Sequence, residues 1–543
     1  MAAEVETCEA IKCKVVIIGA GIAGLSAASL LAKNDVTDLY VLEARNRIGG
    51  RILSIEQAGA SLELGANWIH GVLGNPIYEM AVANNLIDIV QTPKPHRVVA
   101  ALEDGKQVPF SVLQETYEAY MCFFHRCEEY FLCQYLPPQG IESVGEHIEL
   151  EIALYLDKIV QPEERHMKKL IFDCLLKRET CISGCDTMSD IDLLELGSYT
   201  ELQGGNISLP SGFSSILEPA SKDIPPDKIL KRHVVKLIKW AGADWKFDDI
   251  DNASDDSEKT VVGADRSSGL GTIPENEPVL HESDANTIEV TCDNGKRFIC
   301  EHVICTIPLG VLKDKADSLF SPPLPQHKQE AIEKLLFGTV NKIFLVYERP
   351  FLHPDIEKVM LLWDVDPAQK GDISDDWYKK IYSFSRPADS ETVLIGWISG
   401  KEAEYVETLP DSIVADKCTS ILRKFLNDPY VPKPKACVCS KWRSQPFTRG
   451  AYSAIAVGAS QCDIENLAQP LYTDNSDSAK PRILFAGEHT HSSFYSTAHG
   501  AYLTGRACAQ ALVDYQPSMT VSCQDTGDLS SWIRGISLED YSQ

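Results

Sequence analysis

The β-branched run Lys14–Ile18 leads straight into Gly19-Ala20-Gly21-Ile22-Ala23-Gly24, which opens an Ala- and Leu-rich stretch reaching Ala32. No other feature limits the fold of this chain as much. A short run of Val and Ile predicts a buried parallel strand. Gly19 permits the tight turn that follows, Gly21 lets a pyrophosphate approach the backbone, and Gly24 lets the helix pack closely on the strand. The first turn of that helix, which includes Ala23, offers free N–H groups and the positive end of a dipole to phosphates. A second strand, Leu39–Leu42, ends at Glu43, where a carboxylate accepts hydrogen bonds from an adenosine ribose. Strand, turn, helix, strand and acid in this order predict an α/β nucleotide-binding domain of the Rossmann type.

The next residues narrow the nucleotide. Glu43-Ala44-Arg45-Asn46-Arg47-Ile48-Gly49-Gly50-Arg51 sets two glycines among three arginines. The arginine fork suits a diphosphate, and the glycines allow close backbone approach. This block after such a start resembles the flavin-containing amine oxidase family, and the resemblance implies FAD rather than NAD. It continues to about residue 515 through Gly65-Ala66-Asn67-Trp68-Ile69-His70-Gly71, LPSGFSSIL within 202–217, HVVKLIKW (233–240), CTIPLGVLK (305–313), FGTVNKIFLVYERPF (337–351), WRSQPFTRGAYS (442–453) and ILFAGEHTHSSFYSTAHGAYLTG (483–505). His70, Phe494-Tyr495, Ser496-Thr497-Ala498-His499-Gly500 and the segment 181–202 are most similar to the animal polyamine oxidases, namely spermine oxidases and N-acetylpolyamine oxidases. One position departs from them: relatives carry a glutamate before the aromatic residue of GEYT or GEWT, and this chain has Ser198 before Tyr199.

The resemblance implies oxidation of a polyamine, free or N-acetylated spermine or spermidine. A neutral amine loses hydride from its α-carbon to flavin N5, the imine hydrolyses, and oxygen reoxidises the flavin. The products are a shorter polyamine, an aminoaldehyde and hydrogen peroxide. It assigns Lys342 as the lysine that reaches flavin N5 through a water. Burial beside Ile343 and Phe344 would lower its pKa. His70 would meet the substrate nitrogen, although a histidine there reads equally as a satisfied core residue. Tyr452 and Tyr495 would flank the amine as an aromatic cage, with Trp442, Ser496, Tyr199 and Glu201 as further substrate contacts. Besides Gly19, Gly21, Ala23, Gly24, Glu43, Arg45, Gly50 and Arg51, the expected cofactor contacts are Asn67 and Trp68 beside the flavin and Val235 at the adenine. Glu488 would meet the ribityl or phosphate region, and Thr497 and Ala498 would open a helix aimed at the flavin pyrimidine. Ala451 stands where monoamine oxidases carry the cysteine bonded to FAD, so FAD is expected to be non-covalent. A histone-lysine demethylase-like oxidase and a non-enzymatic FAD-binding regulator remain alternatives.

The family implies an FAD domain discontinuous in sequence, at 10–95, 203–310 and 430–515, interleaved with an α+β substrate-binding domain at 96–202 and 311–429. Residues 148, 152, 155 and 159 recur at helical spacing in the first substrate-domain segment, and 393–398 read as a strand. Within 241–288 an Asp-, Ser- and Gly-rich stretch interrupts two strands and reads as an acidic surface insertion unable to bury enough apolar area to order itself; 516–543 reads as a mobile tail. The net charge of -27 argues against a nucleic-acid partner,. It would steer a cationic ligand, and equally keeps a protein soluble. The 17 cysteines show no zinc spacing, so no metal is expected, and they read as reduced,. With an acidic N-terminus, no membrane segment and no terminal Ser-Lys-Leu, the expectation is a cytoplasmic protein, possibly also nuclear.

Overall fold

The computed structural model describes residues 9–87, 97–240, 287–365, 371–387, 390–472 and 480–515. The strand Val15–Ile18 is buried along its whole length and stands at the centre of a six-stranded sheet. It pairs in parallel with Leu39–Glu43 on one side and His302–Cys305 on the other. Ile229–Lys231 extends the first side and Pro481–Phe485 the second, again in parallel, and Leu471–Tyr472 closes one edge antiparallel. The chain thus departs from the middle strand in one direction and is rejoined from the other. The glycine turn after Val15–Ile18 therefore lies at a topological switch point, where such sheets open a crevice at the carboxyl ends of their strands.

The helix Ile22–Lys33 is buried for most of its length because the last helix, Ala498–Tyr515, crosses it. Small residues make this approach possible: a Cβ on Gly505 would come within 2.0 Å of the Ala23 carbonyl oxygen. The Ser26 hydroxyl donates to the Tyr502 carbonyl at 2.8 Å.

A second six-stranded sheet runs in the order Ala436–Cys439, Val340–Val346, Val393–Ser399, Ser383–Ser385, Ile356–Leu362, Arg97–Leu102. Helices Phe110–Cys133, Val144–Asp157 and Pro162–Ser183 cover it through a core that includes Tyr120, Phe123, Ile148, Ile152 and Phe172. Ser143 starts the middle helix with a capping box to Glu146, which satisfies two backbone donors reciprocally.

Packing crosses two of the expected segment boundaries. Leu312, Leu319, Phe320, Ala331 and Leu335, placed with the substrate-binding domain, share a core with Phe298, Val303 and Phe485 of the nucleotide-domain side. Conversely, Ala436–Cys439, placed with the FAD domain, pairs antiparallel with Val340–Val346 in the second sheet. In both cases tertiary burial outweighs proximity in sequence. Val235–Lys239 and Ile288–Cys292 form the expected antiparallel pair; the acidic insertion between them, from 241 to 286, and the tail 516–543 lie outside the described residues. The described cysteines are free and mostly buried. Among the described residues no helix is long and apolar enough to cross a membrane.

Candidate active site

One cavity of about 990 Å³ runs from the glycine turn to the second sheet. At its first end Gly19 takes φ +103, and a Cβ on Gly24 would lie 2.0 Å from the Gly19 carbonyl oxygen. Gly24 is thus a packing residue; expected among the cofactor contacts, it is the one candidate that does not line the cavity. Gly21 does line it, and a Cβ there would meet nothing within 4 Å. Gly21 also caps the helix without a side-chain hydrogen bond, so the first-turn N–H groups stay available to an anion. Glu43 is buried. Its carboxylate accepts from the Ala20 N–H at 2.9 Å and from the Arg45 N–H at 2.8 Å, and each oxygen keeps a lone pair for a further donor. Burial lowers the Arg45 guanidinium to about 10, with Arg47 adding to the effect and Glu43 opposing it.

Glu488, a candidate cofactor contact, lines the cavity and is also tied to the scaffold. Its buried carboxylate receives Arg51 Nη1 at 2.8 Å, the Ser453 hydroxyl at 2.6 Å and the Ser496 N–H at 2.9 Å. Burial raises its pKa, but Arg51, His489 and these hydrogen bonds more than offset that, leaving it below the usual range. Its placement makes it an anchor for Arg51, which lines the cavity. Ser496, expected as a substrate contact, is likewise committed: its hydroxyl donates to the Ser453 carbonyl. Thr497 caps the last helix, accepting from the Gly500 N–H at 2.9 Å.

Lys342 projects from the middle of Val340–Val346 and is 5% exposed. Its N–H donates to the Ser440 hydroxyl, and Ser440 returns a bond to the Lys342 carbonyl, which fixes the strand. Nζ donates at 2.7 Å to the carbonyls of both Glu63 and Gly65 and lies 4.9 Å from the Trp397 ring centroid. Burial lowers its pKa from 10.5 to about 7, with the Glu63 charge opposing. Trp442 packs beside this corner and donates to the Leu64 carbonyl at 3.1 Å. His70 is half-buried, with Nδ1 2.9 Å from Asn206 Oδ1. With the amide in this orientation an acceptor faces Nδ1, so that nitrogen carries the proton and Nε2 is left as the acceptor. Trp68 is edge-on to His70 and stacked on Trp397, with centroids 5.7 Å apart at 16°.

Tyr452 and Tyr495 both line the cavity, with separate partners. Tyr452 donates its hydroxyl to the Cys181 carbonyl. Tyr495 meets Tyr199 edge-on at 5.6 Å, and burial raises both of these phenols to about 12. Ser198 is buried at this pair. Glu201 is exposed at the cavity wall. The sequence reading missed Trp397, Asn206 and the cavity carboxylates Glu128, Glu179 and Glu195. Burial raises the Glu179 pKa, opposed by Arg178 and reinforced by Glu128.

The open glycine turn, the uncapped helix start, the buried ribose-type acid and the cavity that continues to Lys342 together fit a dinucleotide with a planar head group. Residues 22–252 and 272–513 match the family described as flavin containing amine oxidoreductase. The chain is 35% identical to the peroxisomal N(1)-acetyl-spermine/spermidine oxidase of Homo sapiens, covering 91% of this chain and 93% of that one. It is 29% identical to polyamine oxidase 1 of Oryza sativa subsp. japonica, covering 93% and 98%. A possible lysine-specific histone demethylase 1 of Drosophila melanogaster is 28% identical, with 67% of its length covered. A solved putrescine oxidase has the same fold at 17% identity, with a TM-score of 0.64 over 93% of this chain and all of that one.

Proposed function

This chain belongs to the flavin containing amine oxidoreductase family, and on that premise we propose that it oxidises a polyamine at a C–N bond, with non-covalent FAD as cofactor and oxygen as final acceptor. The observation that carries this reading is a cavity that joins the glycine turn, a buried lysine and a carboxylate-bearing wall. FAD would be held by the Gly19–Gly21 turn, Glu43, Arg45, Arg51 and Val235, and when bound it supplies the two-electron acceptor. Ala451, at the cavity wall, offers no nucleophile to join it covalently.

The protein's own groups then have separable tasks. Lys342 titrates near neutral pH and can take up or release a proton without leaving its two carbonyls. His70 Nε2 offers an acceptor for the N–H of the reacting amine. Tyr452, Tyr495 and Tyr199 bring aromatic faces, each worth about 0.5–2 kcal/mol to a nearby cation. Glu128, Glu179, Glu195 and Glu201 can receive the remaining ammonium groups of an extended substrate. The reacting nitrogen must be neutral to release hydride from its neighbouring carbon, whereas the remote nitrogens bind best when charged. Turnover is therefore expected to rise towards alkaline pH until the remote ammonium groups deprotonate.

The test is kcat/KM against pH for spermine, N-acetylspermine and benzylamine, with peroxide and aldehyde as readouts. A polyamine should be preferred. If benzylamine is the best substrate, or no polyamine yields peroxide at any pH, the reading fails.

A further inference from the structure

Trp397 lies directly opposite Lys342 in the antiparallel pair of Val340–Val346 with Val393–Ser399, so both side chains leave the same face of the sheet. Lys342 Nζ hydrogen-bonds to two carbonyls rather than to carboxylates. Neutral carbonyls ease the burial of a charge less than a counter-ion does. The indole face, 4.9 Å away, adds the negative end of a ring quadrupole,. That ring is held in place, because Trp68 stacks on it at 5.7 Å and 16°. The other groups around Lys342 are accounted for. Glu63, on the neighbouring hairpin, is the carboxylate whose charge reaches it. Cys437 and Cys439 pair with Leu345 and Ile343, which point to the opposite face of the strand from Lys342.

We propose that Trp397 is a positioning residue for Lys342: its stacked indole face stabilises the charged ε-nitrogen against burial and so lets this lysine hold a proton as well as release one. Without the ring, burial would shift Lys342 further towards the neutral amine at working pH. The proposal rests on the reading that Lys342 handles a proton in the amine oxidation. Trp397 itself need touch neither substrate nor cofactor, and its contribution is to the protonation equilibrium of its neighbour.

The direct measurement is an NMR titration of the FAD-loaded enzyme labelled at lysine Cε and Nζ, with the Lys342 resonance assigned by its loss in Lys342→Met. Trp397→Leu should lower the Lys342 midpoint by about 0.5 to 1.5 pH units. Trp397→Phe, which keeps a ring face, should lower it by less than half as much. A midpoint that stays put in Trp397→Leu overturns the proposal. So does one that rises, since the ring would then only exclude water, or one that falls equally in Leu and Phe. If Trp397→Leu does not fold or retain FAD, biosynthetic fluorotryptophans keep the ring's size while weakening its face. Each added fluorine should lower the midpoint further, and an unchanged midpoint refutes the idea. The same samples separate this proposal from its premise. If Lys342→Met reacts with substrate and oxygen as the parent does, the role given to Lys342 fails, while the titration still reports what the indole does to the lysine.

Discussion

Lys342→Met keeps the length and apolar bulk of the side chain and removes the group that titrates. Burial brings the Lys342 ammonium from 10.5 down to about 7, against the opposing charge of Glu63. With a midpoint near 7, the neutral fraction rises from about 9% at pH 6 to about 91% at pH 8. Any half-reaction that needs the free amine should therefore speed up about tenfold across that window and then level off. Stopped-flow absorbance of the flavin, with substrate under anaerobic conditions and then with oxygen on the reduced enzyme, reads the two half-reactions separately. In Lys342→Met at least one should slow and lose its inflection near pH 7. A second readout follows from linkage. The folded pKa lies below the unfolded one, so between about pH 7 and 10.5 the unfolded chain binds the extra proton. The parent's stability thus rises with pH through that window, and it is lost as pH falls back from 10.5 to 7 and levels off below. The rise amounts to about 3 kcal/mol between pH 7 and 9.5, and the variant lacks it. The difference in urea unfolding free energy, parent minus variant, should shift in the parent's favour by that order. The reasoning is refuted if both half-reactions keep their rates and pH inflections and the stability difference is flat with pH.

Three further outcomes are expected. Heat or acid should release FAD from the polypeptide, because Ala451 lines the cavity without a nucleophilic side chain; flavin that stays with the denatured chain contradicts this. Glu488→Gln breaks a buried ion pair with Arg51 at 2.8 Å, and should cost about 3 kcal/mol of stability and weaken FAD binding; unchanged melting and unchanged FAD affinity would show that the carboxylate is dispensable. Deleting residues 245–283 should leave kcat/KM within about twofold, since Val235–Lys239 and Ile288–Cys292 hold the ends of that segment as an antiparallel pair,. A soluble deletion variant with a large loss of turnover would mean that the segment contributes to the site.

Much of the candidate site was legible because its signals are local. Strand, Gly19–Gly24 turn, helix and Glu43 follow one another within 30 residues, and each constraint acts on the backbone that carries it. Lys342 could be picked out on its strand through the family blocks, and the structure places it in the same cavity as the glycine turn. Ser496 and Glu488 line the cavity, but their ties to the scaffold are not legible in the sequence, because a polar side chain near a ligand site can also serve the scaffold. Their partners, Ser453 and Arg51, are 43 and 437 residues away, and no local pattern gives those pairings.

By itself the sequence determined the periodicities, the turn chemistry and the order of the blocks, and hence an α/β nucleotide-binding framework and the residue types available to it. The tertiary structure decided which of those residues meet. Trp397 reads along its own strand as one more apolar residue. Only the register that sets it against Lys342 gives it a charge to hold. The Glu63 and Gly65 carbonyls that receive Nζ lie 279 and 277 residues from the lysine, and any backbone carbonyl could have served in their place. A strand's pattern specifies which face is buried, but not which partner is buried against it. That choice depends on packing the whole chain, and with it the desolvation that brings Lys342 into the neutral pH range.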